Sequence, residues 1–190
     1  PILVEVSALA GFDHVIIDGE HGSVSVRDVE DLARAAEAAG ITPLARVPTN
    51  STIDILRYLD AGIQGVMVPQ ICSAADARRA VEAAKYHPEG KRGLAGARAA
   101  RYGLAGPLTE HVVASNRQTM VLALLEDRSA VEAIDEILAV PGIDVFFIGP
   151  ADLAQSYGYP GRADHPDVQS AIDTIIRRGV AAGKVVGTNA

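Results

Sequence analysis

The sequence of 190 residues contains no tryptophan, only three lysines and a single cysteine, and 4% of its residues are aromatic. A lone cysteine, Cys72, cannot form an internal disulfide, so we expect a protein of the reducing cytoplasm. The apolar runs are no longer than strands, which argues against a segment that crosses a bilayer. The formal net charge of −7 argues against a nucleic-acid partner and favours small-molecule partners.

Short apolar runs alternate along the chain with amphipathic stretches of ten or more residues. This alternation is typical of repeated βα units that build a parallel sheet. We predict helices over residues 1–10 and in most of the stretches between the strands. The segment 87–106 is instead predicted to be an irregular loop, with a short strand over 93–95 as an alternative. We predict six strands, over 15–17, 44–47, 65–70, 121–125, 145–148 and 184–187.

The order of these elements favours a (β/α)₈ barrel rather than a dinucleotide-binding sheet. No G-x-G-x-x-G pattern follows any of the predicted strands. A barrel ordinarily takes about 250 residues, and this chain opens on a helix and closes on a strand. We therefore expect a single barrel domain over 1–190, incomplete at both ends because it lacks its first strand and its last helix. Such a piece would expose a sheet edge, and we expect it to be unstable alone.

Polar side chains that could carry chemistry follow nearly every predicted strand. In a parallel barrel these strand ends converge on one face. The alternative is that polar residues merely mark where strands reach the surface, but acids, a histidine and an inward arginine together are harder to explain in that way. The positions are Asp18, Glu20, His21, Arg46, Gln70, Glu126, Asp127, Asp152, Thr188 and Asn189.

Two carboxylates, Glu126 and Asp152, could share a divalent ion whose other ligands come from substrate and water. An open, oxygen-rich site of this kind suits Mg²⁺ or Mn²⁺, with Co²⁺ as an alternative. Zinc would call for Cys or several His at ligand spacing. No lysine follows a predicted strand, so a Schiff-base mechanism lacks its nucleophile and metal activation is favoured.

Three further residues are candidate catalytic groups. Asp18 and His21 are close enough in sequence to pair, so that the carboxylate would orient an imidazole acting as a general base. Arg46 lies within an apolar strand, where an unpaired charge is costly. We therefore expect Arg46 to have an anionic partner, for which a substrate oxygen would serve.

Several motifs, in their order along the chain, resemble those of the HpcH/HpaI aldolase family. Together they cover nearly the whole chain. These motifs are Gly-Phe-Asp at 11–13, Ile-Asp-Gly-Glu-His-Gly at 17–22, Ala-Arg-Val-Pro at 45–48, Leu-Asp-Ala-Gly at 59–62, Val-Met-Val-Pro at 66–69, Lys-Arg-Gly at 91–93 and Phe-Ile-Gly-Pro-Ala-Asp-Leu at 147–153. The resemblance implies a TIM barrel of the phosphoenolpyruvate-mutase-like type that assembles as a homo-oligomer, a trimer or a hexamer.

The resemblance also implies an activity and a set of site residues. The activity is that of a class II, metal-dependent aldolase, which reversibly cleaves a 2-keto-4-hydroxy acid of the 2-keto-3-deoxy type to pyruvate and an aldehyde through a metal-bound pyruvate enolate. The family's metal ligands fall on Glu126 and Asp152, its Asp-His dyad on Asp18 and His21, and its active-site arginine on Arg46. Its pyruvate carboxylate would lie against the backbone N–H groups near Gly149, Ala151 and Asp152, as a helix start favours.

One position departs from the family pattern, because Leu124 stands where the family has Gln two residues before the metal-binding Glu126. The departure bears on substrate range and on the aldol half-reaction. Two other interpretations stay open. One is a related carbon-carbon lyase or decarboxylase acting on oxaloacetate or an acyl-CoA thioester, and the other is a non-catalytic barrel subunit.

Overall fold

The computed structural model describes residues 1–189, and Ala190, the last residue of the predicted domain, lies outside the described residues. Six strands form one sheet in which every neighbouring pair is parallel and the strand order follows the chain order. The predicted α/β class and the six predicted strands are thereby confirmed. The strands are β1 (His14–Asp18), β2 (Thr42–Arg46), β3 (Gly65–Val68), β4 (Met120–Leu125), β5 (Val145–Ile148) and β6 (Val185–Thr188).

Nine α-helices accompany the strands in residues 1–189. Three of them begin at serines whose hydroxyl accepts a bond from a backbone N–H three residues on, at Ser25, Ser51 and Ser73, and Ser25 forms a reciprocal capping box with Asp28. The helices are α1 (Ile2–Leu9), α2 (Val26–Ala39), α3 (Thr52–Asp60), α4 (Ala74–Ala84), α5 (Leu108–Gln118), α6 (Arg128–Glu132), α7 (Ile134–Leu138), α8 (Pro150–Ser156) and α9 (Pro166–Ala181).

The curled sheet has two different faces because successive strand residues point to opposite sides. Along β4 the side chains of Val121, Ala123 and Leu125 join the main core, in which the buried faces of the helices pack against the sheet. The alternate residues Leu122 and Leu124 instead face the other side, where they form a small cluster with Met67, Val145 and Phe147. We call these the outer face and the inner face of the sheet.

One feature of the structure differs from the sequence predictions. The alternative strand over 93–95 is not formed, since that segment is irregular and leads into a 3-10 turn at Arg98–Gly103. In β1 the side chain of Ile17 is buried, while that of Ile16 on the inner face is exposed. No helix in residues 1–189 is long and apolar enough to cross a membrane.

Candidate active site

The carboxyl ends of β1 and β2 bring Asp18 and Arg46 together as register partners in adjacent strands. The Arg46 guanidinium donates two hydrogen bonds to the Asp18 carboxylate, from Nε to Oδ1 at 2.9 Å and from Nη2 to Oδ2 at 2.6 Å. This fork-to-fork geometry is the strongest form of an arginine and carboxylate pair. The predicted anionic partner of Arg46 therefore exists within the protein itself.

The environment of Asp18 strongly favours its charged form. The bond from Arg46 lowers the pKa of Asp18 to about 2, and the backbone N–H groups of Glu20 and His21 also donate to Oδ1, at 3.1 and 3.3 Å. The same pair raises the pKa of the Arg46 guanidinium. Asp18 therefore fixes the position of the Arg46 side chain. Through the bonds from the backbone N–H groups it also stabilises the turn that follows β1.

The structure does not bring the Asp18 carboxylate and the His21 imidazole into the predicted contact. Both Asp18 oxygens are taken by Arg46, so the carboxylate meets His21 only through its backbone N–H. The His21 ring, 58% exposed, instead has its Nε2 at 3.8 Å from Glu20 Oε2 and 3.9 Å from Asp152 Oδ2. His21 and Asp152 lie together at the carboxyl ends of the strands, as predicted from their places after β1 and β5.

Glu20 is the site residue to which sequence reasoning assigned no role. Its side chain is 14% exposed, and its Oε2 is buried without a hydrogen-bond partner, although Arg46 Nη1 is 3.4 Å away. Burial raises the pKa of Glu20, and the charges of Asp152 and Asp18 add to the increase. The signal in the sequence was present, since Glu20 lies in the polar run that follows β1, but spacing alone does not say which of Asp18 and Glu20 faces Arg46.

Glu126 follows β4 on the inner face and is buried. Its Oε1 accepts a 2.9 Å bond from the backbone N–H of Gln70, which adopts a left-handed φ of 56° at the end of β3. Burial raises the pKa of Glu126 to about 7, and the nearby charges of Glu20 and Asp152 contribute. A buried carboxylate with two acidic neighbours is unfavourable unless a cation or a proton balances it.

The stretch after β5 supplies the other side of the site. Gly149 precedes α8, and its N–H donates to the Leu125 carbonyl. This N–H is therefore not free to bind the substrate, which was the role predicted for Gly149. A Cβ at Gly149 would meet the Glu126 Cβ at 3.0 Å and Oε2 at 3.1 Å. Gly149 therefore leaves room beside the Glu126 carboxylate. Ala151 and Asp152 lie in the first turn of α8, where Asp152 is 49% exposed.

These residues fit a divalent metal ion held by few protein ligands. Residues 1–189 contain no group of three or more His, Cys, Asp or Glu side chains that converges on one metal position. An ion between Glu126 and Asp152 would therefore take its remaining ligands from water and substrate. The space beside Glu126 Oε2, together with the mutual repulsion of the acids, is what such an ion requires.

Leu124 lies on the inner face of β4, one inward position before Glu126, and is buried beside Gly149. It therefore gives the floor of the site an apolar surface where an amide would provide hydrogen-bonding groups. The structure places this departure from the family pattern next to the predicted metal ligand rather than at the outer face.

A cavity of about 770 Å³ lies at the opposite end of the sheet, near residues that precede β3 and β4. Two arginines of the loop after α4 form ion pairs there: Arg92 is buried and its Nη2 donates to Asp60 at 2.7 Å, while Arg98 donates to Glu37 at 2.7 Å. These ion pairs fasten the loop after α4 to α3 and α2. We assign the chemistry to the other end, where the carboxylates and His21 meet.

A curled parallel sheet with acids, an arginine and a histidine at the carboxyl ends of its strands has the layout of an α/β enzyme. The family model described as HpcH/HpaI aldolase/citrate lyase matches residues 1–189. The chain belongs to this family. The resemblance seen in the sequence motifs is thereby confirmed.

Individual relatives agree with this assignment. The chain is 41% identical over 186 residues to a hydroxypyruvate/pyruvate aldolase of Agrobacterium fabrum, covering 98% of this chain and 70% of the relative. It is 40% identical over 185 residues to a 2-keto-3-deoxy-L-rhamnonate aldolase of Escherichia coli, covering 97% and 69%. A crystal structure of an HpcH/HpaI aldolase/citrate lyase family protein from Burkholderia cenocepacia superposes with a TM-score of 0.94 at 37% identity, covering 100% of this chain and 75% of that one.

Proposed function

We propose that the protein is a divalent-metal-dependent aldolase that reversibly cleaves a 2-keto-4-hydroxy acid of the 2-keto-3-deoxy type to pyruvate and an aldehyde. The observation that carries the proposal is the gathering of Glu126, Asp152, His21 and the Arg46–Asp18 pair at one end of the sheet. Relatives named as aldolases of pyruvate and of a 2-keto-3-deoxy acid support the substrate class.

Glu126 and Asp152 are the residues that would hold the ion, as Mg²⁺ or Mn²⁺ with Co²⁺ as an alternative. When bound, such an ion supplies Lewis-acid polarisation of the keto oxygen of the substrate. Gly149 keeps the space beside Glu126 open, and the N–H groups of Ala151 and Asp152 at the start of α8 would receive the pyruvate carboxylate.

Arg46 would stabilise the negative charge that develops on the pyruvate oxygen when the carbon-carbon bond breaks. A guanidinium has five N–H donors, and Asp18 takes two of them in this structure. Nη1 also lies 3.4 Å from Glu20 Oε2, and the remaining donors would face a substrate oxygen in the direction that the fork held by Asp18 sets. This is stabilisation by a preorganised donor, which needs no rearrangement during the reaction.

His21 would move the proton. Its imidazole is exposed at the carboxyl ends of the strands, where it can contact the substrate directly or through one water. In the cleavage direction the ring would accept the proton of the substrate 4-hydroxyl group, and it would then return a proton to the enolate carbon, which becomes the methyl group of pyruvate. The carbon-carbon bond electrons pass to the keto group as the aldehyde leaves.

The test is deuterium exchange into the methyl group of pyruvate, followed by proton NMR with purified protein and Mn²⁺. We expect exchange that a chelator stops, and its loss in Glu126→Gln and Asp152→Asn. The exposed acid Glu136 on α7 offers a matched control, and Glu136→Gln should exchange like the parent. Exchange no faster than in protein-free buffer would refute the proposal.

A second candidate is a lyase or decarboxylase acting on oxaloacetate or an acyl-CoA thioester. The family description favours it, because it joins aldolases with citrate lyases, and the apolar Leu124 beside Glu126 is the feature of this chain that could shift the substrate range. Assays with oxaloacetate and with acetyl-CoA beside 2-keto-3-deoxy acids would separate the two activities. The intact set of site residues argues against a non-catalytic subunit.

We further propose that the six-stranded sheet belongs to a (β/α)₈ barrel of the phosphoenolpyruvate-mutase-like type, and that 1–190 forms one domain of it. The consecutive strand order supports this, because a barrel requires it. A homo-oligomer, trimer or hexamer, remains a prediction for light scattering to test. The cytoplasm remains the predicted compartment because the lone Cys72 forms no internal disulfide.

A further inference from the structure

We infer that the side-chain amide of Gln70 binds a hydroxyl group on the aldehyde part of the substrate, which makes Gln70 a specificity-determining residue. Because it adds a contact to the same reaction site, this role rests on the proposed function. Gln70 adopts a left-handed φ of 56° two residues after β3 ends. That conformation is unfavourable for a residue with a Cβ, and such exceptions cluster at functional sites.

The left-handed turn at Gln70 serves the backbone. The N–H of Gln70 donates to Glu126 Oε1 at 2.9 Å, and the N–H of Ile71 donates to the Leu124 carbonyl at 3.3 Å. Both bonds fasten the segment after β3 to the end of β4. Neither bond uses the Gln70 side chain, and glycine would allow both without the steric cost. The backbone geometry therefore gives the glutamine side chain no role.

Packing gives the Gln70 side chain no role either. The next residue, Ile71, is fully buried, whereas Gln70 is exposed. Within residues 1–189 the Gln70 side chain forms no hydrogen bond with another protein group, since its bond to Glu126 comes from the backbone. The amide oxygen and the two amide hydrogens are therefore free to bind a ligand.

The Gln70 side chain begins within the reaction site. The backbone nitrogen of Gln70 lies 2.9 Å from the carboxylate of Glu126, which is one of the two acids that would hold the ion. In the sheet, β3 lies between β2, which ends at Arg46, and β4, which leads to Glu126. Neighbouring strands are about 4.8 Å apart, so a ligand held between Arg46 and Glu126 is within the range of a glutamine side chain.

The chemistry of an amide indicates which part of the substrate it binds. In the proposed reaction the pyruvate carboxylate lies at the start of α8, the keto oxygen faces Arg46, and the 4-hydroxyl group gives its proton to His21. The hydroxyl groups farther along the aldehyde have no partner among these residues. A hydroxyl group both donates and accepts, and an amide offers the matching acceptor and donors without a charge. The partner of Gln70 is then the hydroxyl group on the carbon next to the aldehyde group.

The first measurement compares two aldehydes that differ by this hydroxyl group, glycolaldehyde and acetaldehyde. For each, kcat/KM is measured in aldol addition to pyruvate with purified protein and Mn²⁺. Gln70→Gly and Gln70→Leu should each lower the ratio of kcat/KM for glycolaldehyde to that for acetaldehyde about 10-fold, because the hydroxyl group loses its partner. Leu keeps the bulk of the side chain and removes the amide, so an unchanged ratio in either variant overturns the inference.

Gln118 offers the matched control. It is exposed at the end of α5, near the opposite end of the sheet, and Gln118→Leu should keep the parent ratio of the two aldehydes. A ratio that falls equally in Gln118→Leu would show that the loss of any exposed amide has this effect, and would contradict a specific contact with Gln70.

The second measurement separates the side chain from the backbone. Glycine adopts a positive φ without steric cost, so Gln70→Gly should unfold at the same urea concentration as the parent or at a higher one. Unfolding at a lower concentration would show that the Gln70 side chain supports the fold, and would contradict a role reserved for the substrate.

The third measurement needs no turnover. The side-chain amide signals of Gln70 can be identified in ¹H–¹⁵N spectra by their absence in Gln70→Gly. With Mg²⁺ and pyruvate present, these signals should shift when glycolaldehyde is added and should not shift with acetaldehyde. Signals that stay in place with glycolaldehyde, or that respond equally to both aldehydes, overturn the inference.

Failure of the proposed function and failure of the Gln70 assignment are distinguishable. If the parent protein does not exchange pyruvate protons, the proposed function falls, and the amide spectra still decide whether Gln70 binds the hydroxyl group. If the parent exchanges these protons while the aldehyde ratio and the amide signals do not respond, the aldolase proposal stands and the assignment of Gln70 is wrong.

Discussion

Replacing Glu126 by Gln should make the metal-free protein more stable at pH 8. The pKa of Glu126 is raised from its ordinary value of 4.5 to about 7 because the carboxyl group is buried and because Glu20 and Asp152 are nearby. Holding this group ionised in the folded protein therefore costs free energy. Gln has nearly the same shape, keeps an acceptor for the Gln70 N–H and carries no charge.

The magnitude follows from the shift in pKa. Each pKa unit corresponds to about 1.4 kcal/mol, so a shift from 4.5 to about 7 amounts to roughly 3 kcal/mol at pH values above 7. Because the pKa is raised in the folded state, the favourable contribution of protonated Glu126 is complete below pH 4.5 and is lost as pH rises through about 7. Parent and variant should therefore be nearly equal in stability at pH about 4 and separate as the pH rises.

The assay is urea unfolding of parent and Glu126→Gln from pH about 4 to 8 with a chelator present, with Glu136→Gln as the control. Repeating the series with excess Mn²⁺ should reverse the order, because only the parent gains free energy from binding the ion. A variant that is less stable than the parent at pH 8 without metal would refute the argument that Glu126 is an uncompensated buried charge. It would indicate instead a partner for the carboxylate that the geometry does not show.

Three further predictions concern the same site. Asp18→Asn should lose about 1 kcal/mol of stability at pH 7, a figure reduced from the full shift because the Asp18 side chain is 40% exposed. Since the pKa is lowered, that difference should shrink as pH falls from about 4 through about 2, and a difference independent of pH in urea unfolding would contradict this assignment. Gly149→Ala should destabilise the protein by about 1–3 kcal/mol and weaken Mn²⁺ binding in calorimetry, since its Cβ would meet Glu126 at 3.0 Å. Unaltered binding would mean that Glu126 can move aside. Arg46→Lys should raise the KM for pyruvate at least about 10-fold because an ammonium cannot reproduce the fork with Asp18. A KM like that of the parent would show that charge alone suffices there.

Most of the framework could be predicted from the sequence. The buried strands such as β3 and β4 are runs of apolar residues, and the serines that begin α2 and α4 are followed by acids three residues on. These signals are local, because they depend on residues within one element. The positions of the site residues at strand ends follow from the same reasoning once the strands are parallel.

The pairings within the site could not be predicted, because they depend on which neighbouring strand each side chain faces. Asp18 and His21 are three residues apart, which suggested a pair, but the register of β1 against β2 gives Asp18 to Arg46. The bond from the Gln70 backbone to Glu126 spans 56 positions and leaves no local pattern.

The two faces of β4 also bear on how this protein could change its substrate. Val121, Ala123 and Leu125 belong to the core shared with the helices, whereas Leu122 and Leu124 belong to the small inner cluster that leads to Glu126. A mutational library restricted to the inner positions would sample the lining of the reaction site while leaving the helix contacts intact.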